Sequence, residues 1–318
     1  MTPPSPILAA DTGGTVIKLG VVQNGAVLAQ GAIPAHSDRP LAGRLPAIAA
    51  GWANLCQQAG ITLKDCGGIG ISFPSVMHPV SGRVLTHFGK FTDASSLDLK
   101  AWGRETFGLP LAIENDARAA LIGEWQHGAG QGENDLVMVT LGTGLGSAAL
   151  CGGVPLRGGH GQAAIMAGHS TIDYNGPACP FCGNVGCAER AASTSVLPDL
   201  VRKAPGFTES PLANEAKLDY AAVFRLAAAG DPCAAAVRDH SLRVWGTHAA
   251  NLVLAFDPAR VIIGGGIANA PEVIVAIRDH IHRHALTPWG KVEVVKSALG
   301  DAAALLGCEW LGRNIPRS

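Results

Sequence analysis

The sequence predicts an α/β protein of two lobes that share one plan: three strands in a meander, then helices alternating with strands. Three observations carry that expectation. Of 318 residues, 47% are apolar and 15% charged, which buries more chain than one core usually serves. A run of short strands and tight turns opens the chain and restarts near residue 135. Each run has a glycine turn after its first strand, at 11–15 and at 142–147.

The elements follow in order. Residues 7–11 form an apolar strand ending in Asp11, and Asp-Thr-Gly-Gly-Thr makes the turn. Strands at 16–22 and 27–33 flank Asn24-Gly25, a strong hairpin signal. A helix over 40–59 carries Leu41, Leu45, Ile48, Trp52 and Leu55 on one face. A buried strand at 68–72 leads into a loop-rich stretch to Lys90, a helix at 97–107 and a strand at 109–113. Glu114-Asn115-Asp116-Ala117 then opens a helix to about Trp125. The second copy has strands at 135–141, 148–151 and from Val154, then an inserted cysteine-rich segment. Helices at 188–200, 220–229 and 233–256 follow, then a strand at 260–263, a helix at 271–284, a strand at 292–295 and a last helix at 301–311.

Composition narrows the function classes. A net charge of −1 without a long basic run argues against nucleic acid as a partner. Cys56, Cys66, Cys151, Cys233 and Cys308 are scattered, which reads as reduced thiols and not as a disulfide framework. The opening 1–6 stretch has no basic n-region, and no segment approaches a membrane span, so the expected location is the cytoplasm.

The densest chemistry lies between His169 and Glu189. Cys179, Cys182 and Cys187 offer three thiols with a histidine upstream, and a closed Cys₃His set is a structural zinc site. Gly183 and Gly186 let the backbone curl so that Cys187 returns to the same ion. The segment serves either as a purely structural loop or also toward a ligand. A metal-bound imidazole has a second nitrogen for another hydrogen bond, and Glu189 is anchored by the last cysteine.

The two glycine turns admit close approach of backbone N–H groups to an anion. Asp11 and Thr15 flank Gly13 and Gly14; Thr143 sits between Gly142 and Gly144. One hairpin per lobe could grip a polyphosphate across a cleft, although either turn alone reads equally as an ordinary hairpin. A dinucleotide-binding fingerprint needs a helix after the glycines, and 148–150 reads as strand; no Gly-Lys-Ser/Thr supplies a P-loop. Gly264, Gly265 and Gly266 form a flat shelf that could lie against an adenine. Asp116 is either a helix-opening acid favoured by the macrodipole or a general base for a sugar hydroxyl, with Asn115 orienting another. His280, His282 and His284 alternate along the chain and read as a surface helix end.

Together these motifs resemble the ROK family of sugar kinases and repressors: Asp11-Thr-Gly-Gly-Thr15, Glu114-Asn-Asp-Ala117, Leu141-Gly-Thr-Gly-Leu-Gly146, Gly168-His169, the cysteine knuckle with Glu189, and Ile263-Gly-Gly-Gly266. The resemblance implies the two-lobed actin/hexokinase-like ATPase fold, a ribonuclease H-like βββαβαβα repeat in each lobe with a zinc knuckle. It implies a smaller lobe of 1–117 with 300–318 and a larger one of 118–299 carrying the zinc loop 169–189. It implies ATP, Mg²⁺ and structural Zn²⁺, and a homodimer. By resemblance Asp116 is the catalytic base toward a hexose 6-hydroxyl, and Asn115, His169 and Glu189 are sugar ligands. Asp11 with Gly13, Gly14 and Thr15, and Gly142, Thr143 and Gly144, serve ATP and Mg²⁺; Gly264, Gly265 and Gly266 hold the adenosine. His169, Cys179, Cys182 and Cys187 hold zinc.

Two departures matter. The family usually writes Glu-x-Gly-His, whereas this chain has Met166-Ala-Gly-His169. Loss of a charged hydrogen bond of roughly 1.5–3 kcal/mol weakens the usual sugar about ten- to a hundredfold unless compensated. The knuckle has Cys-Pro-Phe-Cys where Cys-x-Cys is common, a spacing that still suits zinc. The leading expectation is an ATP-dependent hexose kinase, glucokinase-like by default, with an N-acetylmannosamine or N-acetylglucosamine kinase next. A sugar-binding sensor with impaired turnover is the alternative that Met166 supports. No helix-turn-helix precedes Ile7, which disfavours the repressor branch. A nicotinamide oxidoreductase would need a helix after a glycine turn.

Overall fold

In the computed structural model, which describes residues 4–315, the chain forms two compact units. The first three residues of the 1–6 stretch and the last three of the 300–318 segment lie outside the described residues. One unit comprises the chain up to Gly132, residues 155–163 and the chain from Ala298 onward; the other comprises residues 133–154 and 164–297.

The first unit holds β1 (Ile7–Thr12), β2 (Val16–Gln23), β3 (Ala26–Pro34), α1 (Leu45–Gln58), β4 (Gly68–Phe73), α2 (Leu99–Phe107), β5 (Leu111–Asn115) and α3 (Asp116–His127). Its sheet runs β3-β2-β1-β4-β5, with β1 antiparallel to β2 and parallel to β4. Asn24 and Gly25 both have positive φ, the backbone that a two-residue hairpin of this hand requires. The helix expected from 40 begins as a 3-10 turn at Leu41–Gly43 before α1 proper. Its apolar stripe buries Ile48, Trp52 and Leu55 against the sheet. The Trp52 indole donates to the Ala9 carbonyl at 2.9 Å, so its polar atom is satisfied inside the core.

Helix α3 carries Asp116 at its head and packs against the last helix, α9 (Ala303–Arg313). Gly123 and Gly307 make this contact close. A Cβ on Gly123 would meet the Ala303 carbonyl oxygen at 2.0 Å, and one on Gly307 would meet that of Ala119 at 1.8 Å. Backbone against backbone leaves α3 little room to slide.

The second unit repeats the sheet. β6 (Leu136–Leu141), β7 (Leu145–Cys151), β8 (Val154–Pro155), β9 (Arg260–Gly264) and β10 (Glu293–Lys296) give the order β10-β9-β6-β7-β8. Read from the other edge, this is the order of the first sheet: third, second, first, fourth, fifth strand of each copy. Between β8 and β9 lie α4 (Ala188–Ala192), α5 (Leu197–Arg202), α6 (Tyr220–Ala228) and α7 (Pro232–Phe256); α8 (Pro271–His284) joins β9 to β10.

The helix expected over 188–200 is broken in two. Ser193 is extended, and the Thr194 and Ser195 amides donate to the carbonyls of Gly142 and Thr143 instead of continuing the helix. Serine and threonine favour such alternatives over helix interiors, and Pro198 reopens the helix as α5. Among the described residues, no helix is long and apolar enough to cross a membrane.

Candidate functional site

The residues singled out by sequence fall into one set in each unit.

In the first unit, Asp11 is the penultimate residue of β1, and its register partners are Lys18 on β2 and Ser72 on β4. The Ser72 hydroxyl donates to Asp11 Oδ1 at 2.7 Å. Burial raises the Asp11 carboxyl above its ordinary value; Ser72 and Lys18 oppose the rise and Asp301 adds to it. Gly13, Gly14 and Thr15 turn the chain into β2, closed by a 3.0 Å bond from Gly13 N–H to the Val16 carbonyl. Ser37 donates to the Gly14 carbonyl at 2.6 Å and pins the turn from outside.

Asn115 is the N-cap of α3, and Asp116 is its first residue. The cap oxygen accepts from Arg118 N–H at 3.2 Å. The Asn115 amide nitrogen donates to the Ser75 carbonyl at 3.1 Å and to Asp116 Oδ1 at 2.9 Å. The Ala117 N–H also donates to Asp116 Oδ1, at 2.8 Å. One carboxylate oxygen is thus anchored, while Oδ2 accepts no hydrogen bond from the described residues.

Desolvation by the surrounding protein pushes the Asp116 carboxyl up to about 6, and the Asp11 charge adds to the push. The Ala117 N–H, the Lys90 ammonium and the Asn115 amide pull the other way. Asp116 keeps solvent-accessible surface, and water reaching it trims the rise without reversing its direction.

Two neighbours of Asp116 were not foreseen as functional. Glu114 and Arg118 flank it at i−2 and i+2 and pair with each other at 2.5 Å, both almost wholly buried. Arg157 also reaches Glu114, at 2.7 Å. The other guanidinium nitrogen of Arg118 donates to the carbonyls of Gly161 and Ala163 at 3.1 and 3.0 Å. Burial pulls the Arg118 guanidinium down from its ordinary value, and Glu114 offsets that. The i, i+4 spacing of Glu114 and Arg118 was the available signal; the carbonyl partners had none.

In the second unit, Gly142, Thr143 and Gly144 connect β6 to β7 and are backed by the Thr194 and Ser195 amides. Glu189 lies on this turn. Its Oε2 accepts from Leu145 N–H at 2.9 Å, and a Cβ on Gly144 would collide with that oxygen at 2.4 Å. Its Oε1 lies 3.9 Å from His169 Nε2. Glu189 therefore links the glycine turn to the histidine, a placement that the sequence alone did not indicate. Gly264 ends β9, Gly265 caps the next turn, and Gly266 opens a 3-10 turn that leads to α8, which opens on Pro271 as expected.

Short-range contacts shape the knuckle. Bridges pair Thr171 with Cys187 and Ala178 with Val185. Cys179 N–H donates to the Asn184 carbonyl at 2.7 Å, and Asn184 holds the His169 carbonyl at 2.8 Å. Gly186 has φ +56°, and a Cβ there would strike the Asp173 carbonyl oxygen at 1.8 Å. One ligand atom from each of His169, Cys179, Cys182 and Cys187 lies within 4.8 Å of the others. His169 Nδ1 is buried without a hydrogen-bond partner, and Phe181 stacks on the ring at 5.2 Å. A metal ion would give the orphaned ring nitrogen beside three thiols a partner, and the N/S donor set suits zinc.

Two sheets of one topology, each with a glycine turn between its first two strands, define the actin/hexokinase-like ATPase fold. The chain belongs within it to the ROK family, whose profile matches residues 7–315. It is 30% identical over 315 residues to a glucokinase of Halalkalibacterium halodurans, covering 96% of this chain and 94% of that protein. The structure of a ROK hexokinase from Thermus thermophilus superposes with a TM-score of 0.81 at 31% identity, covering 97% and 98% of the two chains. A ROK family glucokinase from Streptomyces griseus, in complex with glucose and AMPPNP, gives 0.79 at 30% identity over 98% and 100%.

Proposed function

We propose that this protein is a cytoplasmic, homodimeric, ATP-dependent hexose kinase acting at the sugar 6-hydroxyl. Asp116 takes the hydroxyl proton. The sugar oxygen bonds to the γ-phosphorus, the bond from that phosphorus to the β–γ bridging oxygen breaks, and ADP leaves with the electron pair. The glycine turns at 13–14 and 142–144 present backbone N–H groups to the phosphates, and Gly264–Gly266 lies under the adenosine. Asp11 would hold Mg²⁺, which supplies charge neutralisation for the transferring group. Asn115, His169 and Glu189 receive sugar hydroxyls. His169, Cys179, Cys182 and Cys187 would hold Zn²⁺, which fixes the loop bearing His169.

The observation that carries this reading is the state of Asp116. One oxygen is anchored by two donors, the other is uncommitted, and desolvation raises the carboxyl from its ordinary value toward the working pH. A base works best when its pKa lies close to the working pH. The glucokinase and the glucose–AMPPNP complex among its relatives support the same reaction class.

Met166 favours a second reading. It stands at the start of the 3-10 turn that presents His169, where an acid would reach a sugar hydroxyl near the anomeric end. A sugar altered at that end, such as an N-acetylhexosamine, or a sensor that binds without turnover, accounts for a thioether there. ADP release with Mg·ATP across hexoses, N-acetylhexosamines and ketohexoses, with Asp116→Ala as blank, separates these. Turnover on one sugar that the mutant lacks supports the kinase and names its substrate. Silence across the panel from folded, zinc-loaded protein favours the sensor.

A further inference from the structure

Lys90 sits in a tightly built turn of the first unit. Phe88 and Phe91, on either side of it, hold φ values of +43° and +53°, and Gly89 holds +76°. Non-glycine residues rarely adopt such backbone, and they keep it where the surrounding structure enforces it, often at functional sites. The enforcement is visible here. Phe91 is fully buried and packs on Phe73 at 5.5 Å. Phe91 N–H donates to the Ser37 carbonyl at 2.6 Å, and the Ser37 hydroxyl holds the Gly14 carbonyl at 2.6 Å. One short chain of contacts therefore ties the Lys90 turn to the first glycine turn.

The side chain of Lys90 crosses that glycine turn. A Cβ on Gly14 would lie 3.2 Å from Lys90 Cε and 3.5 Å from its Nζ. Its charge also bears on Asp116, which faces Asp11 from β1 and Lys90 from this turn. Yet the ammonium makes no ion pair of 4.0 Å or less with any described carboxylate. It is a cation held over a bare backbone turn, whose charge acts on the Asp116 carboxylate without an ion pair to it.

We infer that Lys90 is a catalytic residue that binds the transferring γ-phosphoryl group above the Gly13–Gly14 turn. This rests on the phosphoryl-transfer reading above. The group in flight carries negative charge on its equatorial oxygens, and one positioned cation near the base stabilises that charge as it moves toward the sugar oxygen. A lysine suits this task because it acts as a point charge with donors that can follow a moving group. A Cβ on Gly14 would crowd the lysine stem. Lys90 also keeps Asp116 from rising further, so the same cation serves the base and the phosphoryl group.

The test compares Lys90→Met and Lys90→Arg with the wild type, with circular dichroism confirming the fold of each. Lys90→Met is expected to lower kcat about a hundredfold, the usual effect of removing one charge-stabilising donor, while sugar KM changes less than about threefold. Lys90→Arg recovers part of the rate. In Lys90→Met the acid limb of kcat/KM moves to higher pH, since Asp116 has lost its cation; a spacer role would leave the limb in place. Calorimetry reads the same contact without turnover: Lys90→Met weakens Mg·AMPPNP about tenfold and leaves Mg·ADP unchanged, as expected for a charged contact to the γ-group alone. Wild-type turnover with an unaffected Lys90→Met overturns the inference and leaves the kinase standing. Selective loss of Mg·AMPPNP affinity in Lys90→Met, with a wild type that turns over no sugar, supports Lys90 and overturns the kinase. Failure of the wild type to bind either nucleotide overturns both.

Discussion

Replacing Asp116 by asparagine should stop the chemistry and stabilise the fold. The substitution keeps an oxygen that can accept the Ala117 N–H bond, now 2.8 Å, but removes the basic lone pair. A positioned general base contributes about 10²- to 10⁴-fold, so kcat should fall by that factor, about 2.7–5.5 kcal/mol of barrier. Since the Asp116 carboxyl is raised from 3.8 to about 6, wild-type kcat/KM should rise about tenfold per unit below that value and level off above it. The residual rate of the variant should show no such limb.

The stability effect has the opposite sign. The folded carboxyl holds its proton to higher pH than the unfolded one. Below 3.8 both states are neutral and Asp116 costs nothing; as pH rises through the interval up to about 6, the unfolded state ionises first and the fold loses stability. Asp116→Asn lacks that loss, so its unfolding midpoint should exceed the wild type at pH 8 and match it near pH 3.5. The assays are coupled ADP release from pH 5 to 8 and thermal unfolding at both pH extremes. A variant keeping more than a tenth of wild-type kcat, or showing the same acid limb, would refute the assignment.

Other outcomes follow from the same geometry. Metal analysis of the native protein should find about one zinc per chain, held by the closed Cys₃His set; Cys182→Ser should lose it and raise proteolytic cleavage within 169–189. Met166→Glu should restore a charged hydrogen bond of roughly 1.5–3 kcal/mol to a glucose-like sugar, seen as a KM about ten- to a hundredfold lower; an unchanged KM would mean the pocket differs more widely. Arg118→Met leaves Glu114 with Arg157 and the Asn115 amide as partners and frees the Gly161 and Ala163 carbonyls. It should cost about 3 kcal/mol in denaturant unfolding, toward the lower end for a broken buried pair because Arg157 remains.

Much of this protein was written locally. The strand–turn–strand signals and the Asn24-Gly25 hairpin depend on neighbours in sequence, and so does the start of α3 at Asp116. The knuckle is local too: its cysteines span few residues, and Gly183 and Gly186 supply the reversals that bring them together. These features could be read because their physics acts over a turn or two of chain.

What the tertiary structure alone decided involves distant partners. The helix expected through 188–200 breaks because the Thr194 and Ser195 amides find the carbonyls of Gly142 and Thr143, some fifty residues away. The Glu189 carboxylate lies on that same glycine turn, held by the Leu145 amide. The Arg118 guanidinium meets two carbonyls beyond position 160, which its place on a helix does not encode. Lys90, in a loop without periodicity, gained its place because the Phe91 and Ser37 contacts carry it to Gly14. Hydrogen bonds and charges act through space, and no sequence spacing encodes which distant carbonyl or carboxylate the fold will bring within their reach.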